Sequence, residues 1–272
     1  MNFENLPDNW KVVRLRRVAE IIGHGVNPQI YPDDKFWLYS FEAYDKNSFP
    51  EIKLGKEIKS NKIILTRDCV LFARLNPRKG RIWKVRLKND FANIASTEFI
   101  PFSPRSNMDL DYLYWVLRVL ILPEAQGNIS GTTKSRERVS KEFISDFPIP
   151  LPPLPEQKRI VEILSLTEDL IKKQKEAIAL IDKILMAKFL EMFGDPATNP
   201  KEWEVKRLGE VVKPIRNTVL PQEAKSLYVG LEHVQSGEIF LRKWGTSSEV
   251  VSAKYEFQKG QILYGKLRWI RL

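Results

Sequence analysis

The sequence predicts an α+β protein in which a mixed-sheet domain is followed by a long helix of coiled-coil type and then by a partial second copy of the first domain. Three observations carry this. Pro7 to Val18 returns as Pro200 to Val211 in the shared pattern PxxWxVxxLxxV. The stretch Glu156 to Phe193 contains neither Gly nor Pro and repeats its apolar residues every seven positions. Short apolar runs in the first copy, bounded by turn residues, read as strands. The expected boundaries are 1–154 for the first domain, 155–194 for the helix and 195–272 for the partial second domain.

Taken in order, the first copy opens on Trp10-Lys11-Val12-Val13 and then offers three strand-like runs, Phe36 to Phe41, Lys62 to Leu65 and Cys69 to Phe72. Its best helix is Asp109 to Leu122, where Leu110, Leu113, Tyr114, Leu117 and Val119 to Ile121 make a wide apolar face suited to a core. Phe147-Pro148-Ile149-Pro150-Leu151-Pro152-Pro153-Leu154-Pro155 reads as a stiff, extended strut, because each proline fixes φ and removes a donor. Pro155 then opens a helix, where proline is tolerated. Leu164, Ile171, Ile178, Leu185 and Met192 lie seven apart, flanked by Ile163, Leu170, Ala177 and Ile184. Such a helix would be on the order of 57 Å long, too long for one small domain to cover and suited to a helical partner. Gly194 ends it as a C-cap.

In the second copy, Gly230-Leu231-Glu232 corresponds to Ser40-Phe41-Glu42, and Ile262 to Leu267 corresponds to Val70 to Leu75. The repeat stops at Leu272 before any counterpart of residues 80 to 193, so the second domain is expected to be partial, whether by nature or through a truncated frame.

Composition bounds the chemistry. The 272 residues include 44 basic and 34 acidic ones, a net charge of +10, which suits a polyanionic partner such as nucleic acid. A single cysteine, Cys69, excludes an intramolecular disulfide, and with two histidines it cannot build a Cys/His zinc site. The N-terminus has no apolar leader, and no run approaches the roughly 18 to 20 apolar residues that span a bilayer. A reducing, cytoplasmic setting without membrane attachment is the expectation.

Catalytic motifs fail on inspection. Gly260 to Leu267 matches GxxxxGK by letters, but its interior is strand-like and Leu267 stands where a magnesium-binding hydroxyl is needed. Asp33 with Glu51 and Lys53 could superficially furnish a magnesium-dependent nuclease, a cheap match in a chain with 29% charged residues. No Gly-rich loop, adenine-methyltransferase motif or GxSxG is present. His24 and His233 read as loop or surface residues.

Two cationic clusters stand out. Lys62, Arg67, Arg74, Arg78, Lys79, Arg81, Lys84, Arg86 and Lys88 share one stretch with a single acid, Asp68. Ser130 to Arg138 combines small residues, hydroxyls and cations: Thr132, Thr133, Lys134, Ser135 and Arg136 have the donors for phosphates and base edges. Together they favour DNA.

The run Ile149 to Val161, with its Pro-Leu-Pro-Pro-Leu-Pro-Glu-Gln-Lys-Arg-Ile-Val and the long helix after it, resembles the specificity subunit of type I restriction-modification systems. The PxxWxVxxLxxV openings, Phe193-Gly194-Asp195-Pro196 and Gly131-Thr132-Thr133 are similar to it too. The resemblance implies a DNA-reading scaffold with no catalytic residue, metal or cofactor of its own. Its target recognition domains each read half of a split DNA site. Its spacer helices set the gap and dock modification subunits, which use S-adenosylmethionine, while restriction subunits use ATP and magnesium. It places DNA contacts at Thr132, Thr133, Lys134, Ser135 and Arg136, with Arg74, Arg78, Lys79 and Arg81 as a second set. With one spacer helix where the family has two, the seam of Leu164, Ile171, Ile178 and Leu185 is expected to pair with a second copy or another specificity-type chain. The rival expectations are an inactive remnant that still docks modification subunits, and the free-standing nuclease.

Overall fold

A computed structural model of the chain describes residues 3, 6–130, 137–220, 227–234, 240–250 and 252–265. It divides into two compact units, Met1–Ile184 and Leu185–Leu272. In the first unit the strands are β1 (Lys11–Arg14), β2 (Ala19–Ile21), β3 (His24–Val26) and β4 (Lys35–Tyr39), then helix α1 (Phe41–Asn47). There follow β5 (Glu51–Leu54), β6 (Lys62–Ile64), β7 (Cys69–Ala73), β8 (Ile82–Val85), β9 (Ala92–Ser96) and β10 (Phe99–Pro104). The remainder is α2 (Leu110–Trp115), α3 (Leu122–Gly127), α4 (Lys141–Asp146), β11 (Pro148–Leu151) and the long α5 (Leu154–Phe193).

A five-stranded mixed sheet, ordered β3-β6-β9-β4-β5 with β4 and β9 parallel, faces a four-stranded antiparallel sheet, β2-β10-β7-β8. The second sheet is covered on both sides. Leu71, Trp83 and Phe99 pack with Tyr39 and Ala95 of the first sheet. Val70, Phe72, Ile100 and Phe102 pack with Leu113, Leu117 and Ile121 of the helical layer. This explains why Cys69–Ala73 is an unbroken apolar run rather than an alternating one: every residue of β7 is buried. Burial pushes the Cys69 thiol up to about 12, so it is an inert packing residue.

Three expectations need correction. The run Phe36 to Phe41 is not strand throughout, because Ser40 takes an extended backbone and its hydroxyl accepts from the Ala43 N–H, capping α1. The proline strut is in part a true strand, with β11 pairing antiparallel to β1 and Ile149 opposite Val13. Pro148 and Pro150 are tolerated because the sheet bonds fall on the residues between them. The Pro150 carbonyl points the other way, accepting from the Tyr112 hydroxyl at 3.0 Å. Finally, the helix begun at Leu110 does not stop at Leu122. It widens into a π-helical segment, Val116–Ile121, and continues as α3. Pro123 supplies the reason: it lacks an N–H, and its ring conflicts with the carbonyl four residues back, which a wider turn relieves.

In the second unit, α6 (Leu208–Val211), β12 (Thr218–Val219), β13 (Leu227–Tyr228), β14 (Gly245–Thr246) and β15 (Lys254–Tyr255) form two short antiparallel pairs, β12-β15 and β13-β14. In the first copy, β7 lies between β8 and β10; its described counterpart, Ile262 to Gly265, pairs with no strand among the described residues.

The repeated tryptophan has a physical role in each unit. Trp10 Nε1 donates to Glu156 at 2.5 Å, at the start of α5. Trp203 Nε1 donates to the Phe193 carbonyl at 2.8 Å, at its end, where Lys201 also reaches the Glu191 and Met192 carbonyls. An indole donor and an ammonium satisfy terminal carbonyls and oppose the negative end of the helix dipole. Gly194, at φ +79°, closes the helix as expected.

Candidate nucleic-acid interface

β7 delivers the chain into a tight cationic turn. Asn76 adopts φ +50°, Pro77–Lys79 makes one 3-10 turn, and Gly80 at φ +64° returns the chain to β8. Asn-Pro followed by Gly is a local signature for such a reversal. Two segments distant in sequence lock the turn: the Arg74 N–H donates to the Glu98 carbonyl, and the Asn76 N–H to that of Glu137. The Val139 N–H returns a bond to Arg74, and Ser130 and Arg138 exchange both backbone bonds.

Thr132, Thr133, Lys134, Ser135 and Arg136 lie outside the described residues. Their flanks do not: Ser130 and Glu137–Arg138 are fastened beside the Arg74–Gly80 turn, so the fold places the ends of one expected cluster against the other.

The charges around this junction are shared. Arg138 donates two bonds to Glu98, at 2.7 and 3.1 Å, while Arg74 Nε lies 4.0 Å from the same carboxylate, buried and without a hydrogen-bond partner. Those bonds from Arg138, above all, hold the Glu98 carboxyl below its usual range. Two guanidiniums to one carboxylate leave a local excess of positive charge. Arg78 pairs with Glu137 at 2.9 Å yet keeps its side chain 64% exposed, and Lys79 is exposed.

Arg81, expected with Arg74, Arg78 and Lys79 among the DNA contacts, is turned into the fold. Its side chain is 6% exposed, its Nη2 and Nε donate to Asp45 at 2.5 and 2.7 Å, and its guanidinium lies 4.6 Å from the centre of the Phe41 ring. It braces α1 against β8 rather than facing solvent.

The wider basic stretch is also less bare than its sequence. Acids from other elements meet it: Glu20 faces Arg67, and Asp111 faces Lys84 and Arg86. None of these acids is a sequence neighbour, so local counting missed them. Sequence reasoning also missed Gln157, which is fully buried. It accepts from the Asp109 N–H and donates to the carbonyls of Asn107 and Pro152.

The residues of the nuclease expectation do not converge. Lys53 pairs with its own strand neighbour Glu51, and Asp33 is largely exposed and pairs with Lys56. Among the described residues no three His, Cys, Asp or Glu side chains come together to hold a metal, and no helix is long and apolar enough to cross a membrane.

Along α5, Ile171, Ile178 and Leu185 are exposed, 49%, 61% and 59% respectively, and Leu164 is half-buried. These aliphatic side chains meet no other element among the described residues along 169–184, all of which are exposed.

The family described as Type I restriction modification DNA specificity domain matches residues 7–180. The chain is 24% identical over 264 residues to the type I restriction enzyme MjaIX specificity subunit of Methanocaldococcus jannaschii, covering 85% of this chain and 60% of that protein. It is 28% identical over 183 residues to the EcoAI specificity subunit of Escherichia coli, covering 61% of this chain and 30% of the relative. Among solved structures, the HsdS subunit from Thermoanaerobacter tengcongensis shares the fold with a TM-score of 0.56 at 22% identity, over 86% of this chain and 59% of that one. The chain thus spans 60% of its M. jannaschii relative's length, and less than a third of the E. coli one's.

Proposed function

Because this chain belongs to the type I restriction modification DNA specificity domain family, we propose that it is the DNA-reading, non-catalytic component of a type I restriction-modification complex. The observation that supports this best is the junction at the end of β7. There an exposed Arg78–Lys79 turn is stitched to Glu137–Val139, which follows the Thr132–Arg136 segment, and Arg138 in turn holds Ser130 before it. In this reading Arg78 and Lys79 contact phosphates and set the register, while Thr132, Thr133, Lys134, Ser135 and Arg136 reach base edges. Arg74 supports the junction from beneath, and Arg81 contributes through Asp45 by fixing the turn's far end. The domains divide as residues 1–154 for reading, 155–194 for spacing and 195–272 for a partial second reader.

The complex would draw S-adenosylmethionine, ATP and magnesium into its modification and restriction subunits, with no cofactor on this chain, and would work in the cytoplasm. α5 would dock modification subunits and pair with a second copy, or with another specificity-type chain, through Leu164, Ile171, Ile178 and Leu185. If so, Leu164→Glu with Ile178→Glu will lower the oligomeric mass measured by light scattering; an unchanged mass removes the seam from the interface.

The deciding experiment is selection of duplexes from a randomised library by this chain together with its modification subunit, at physiological salt. A split motif is expected, palindromic for a dimer of this chain and asymmetric for two different readers. Complex formation without any enriched motif would favour the remnant reading instead. Lys134→Ala should weaken binding to the selected duplex by roughly 1 to 3 kcal/mol if Lys134 touches a base. An unaltered affinity and motif would take it out of the site.

A further inference from the structure

A helix fixed to a domain at one point can pivot about it, so the direction in which α5 leaves the first unit needs a second fastening. The first is the N-terminal stretch, where Asn9, Trp10, Asn107, Asp109 and Pro152 bond to Glu156 and Gln157 and where Ile160 and Val161 pack on the core. The second lies three turns beyond Gln157, about 16 Å along the axis at 1.5 Å per residue. There Glu168 accepts from Arg118 Nη1 at 2.5 Å.

Arg118 is built for this reach. It sits in the π-helical segment Val116–Ile121, and such segments gather at functional sites. Its Nη1 also donates to the Tyr114 hydroxyl. Its guanidinium carbon lies 5.5 and 5.3 Å from the ring centres of Tyr114 and Trp115, which themselves meet edge to face. An ordinary surface ion pair is weak because two long side chains must be ordered to make it. Here the rings and the phenol already hold the guanidinium in place, so little freedom is lost when Glu168 arrives. Beyond Glu168, residues 169–184 of α5 are all exposed, so the clamp lies where the helix leaves the body of the unit.

We propose that Arg118, through Glu168, is a positioning residue that fixes the direction of α5 and thereby the offset between the DNA-reading face and the seam on the helix. The functional half of this rests on the DNA-reading proposal above; the mechanical half does not.

Spin labels at Lys46→Cys on α1 and Lys175→Cys on α5, both exposed in the first unit, read the mechanical half by pulsed electron resonance in the full chain. The buried Cys69 thiol does not compete for label. Diluting labelled protein in unlabelled protein removes pairs between copies. One narrow distance is expected, with the narrow peak lost in Arg118→Ala and in Glu168→Gln. The milder Glu168→Gln keeps the measurement decisive should Arg118→Ala not fold. An unbroadened peak in the folded single variants overturns the proposal.

In the duplex selection, Arg118→Ala should keep the half-site bases while accepting a wider range of gaps between them. A single fixed gap in a variant with a broadened distance would overturn the functional half alone. Absence of any motif from the unaltered protein would instead count against the DNA-reading proposal and leave the spin-label result to decide the clamp.

Discussion

Gln157→Ala is expected to lower the unfolding free energy of the first unit by about 3–5 kcal/mol, more than most single changes on a polar residue. The side chain is fully buried and makes three bonds: one accepted from Asp109 N–H at 2.8 Å, two donated to the Asn107 and Pro152 carbonyls at 3.0 and 2.8 Å. Alanine would leave all three backbone groups without this partner, the Pro152 carbonyl in a buried setting, at about 1–3 kcal/mol for each group that water does not reach. Asp109 is in addition the cap of α2, its carboxylate accepting from the N–H groups of Asp111 and Tyr112, so its displacement would loosen that helix as well. Gln157→Glu should be no milder at neutral pH, since it removes both donors and buries a charge. Urea unfolding followed by tryptophan fluorescence checks both variants, and a loss under about 1 kcal/mol would show that this network is not what joins α5 to the domain.

The other large effect is on DNA. If about six phosphates are neutralised, raising salt from 50 to 200 mM should weaken duplex binding roughly a thousandfold, about 4 kcal/mol. Arg78→Ala with Lys79→Ala should reduce the steepness of that salt dependence by about two counterions, because both side chains are exposed on the turn. Arg81→Ala is the internal control. Its guanidinium is held by Asp45 inside the fold, so it should lower stability while leaving the salt slope as it was. An unchanged slope in the double variant would place Arg78 and Lys79 away from the DNA.

What could be seen in the sequence follows the range of the forces involved. β7 and α5 were legible because burial on both faces and a seven-residue seam are written in consecutive residues. The Asn76–Gly80 turn was hidden within a cationic run, although Asn76-Pro77 and Gly80 carry its local signature. Its significance depends on Glu98 and Glu137, which reach it through space. The same holds for charge. Arg81 looked like its neighbours because the alternation of β8 turns it inward and its partner Asp45 lies on α1. The π-helical turn was invisible to an apolar count, since Val116 to Ile121 fits an ordinary helix face and only Pro123 betrays the strain. At the junction, Gln157 was counted as part of a resemblance, while its physical work, satisfying three backbone groups, appears only when Asn107, Asp109 and Pro152 surround it.

The arrangement of β11 has a consequence for how copies of this chain can and cannot associate. A strand lying against a single neighbour presents its other side as a template on which a foreign strand can be added. On β11 the two backbone positions that would donate outward are Pro148 and Pro150, which have no N–H, and the Pro150 carbonyl is already occupied by Tyr112. Strand addition on that side of β11 is thereby blocked by the loss of two donors and one acceptor.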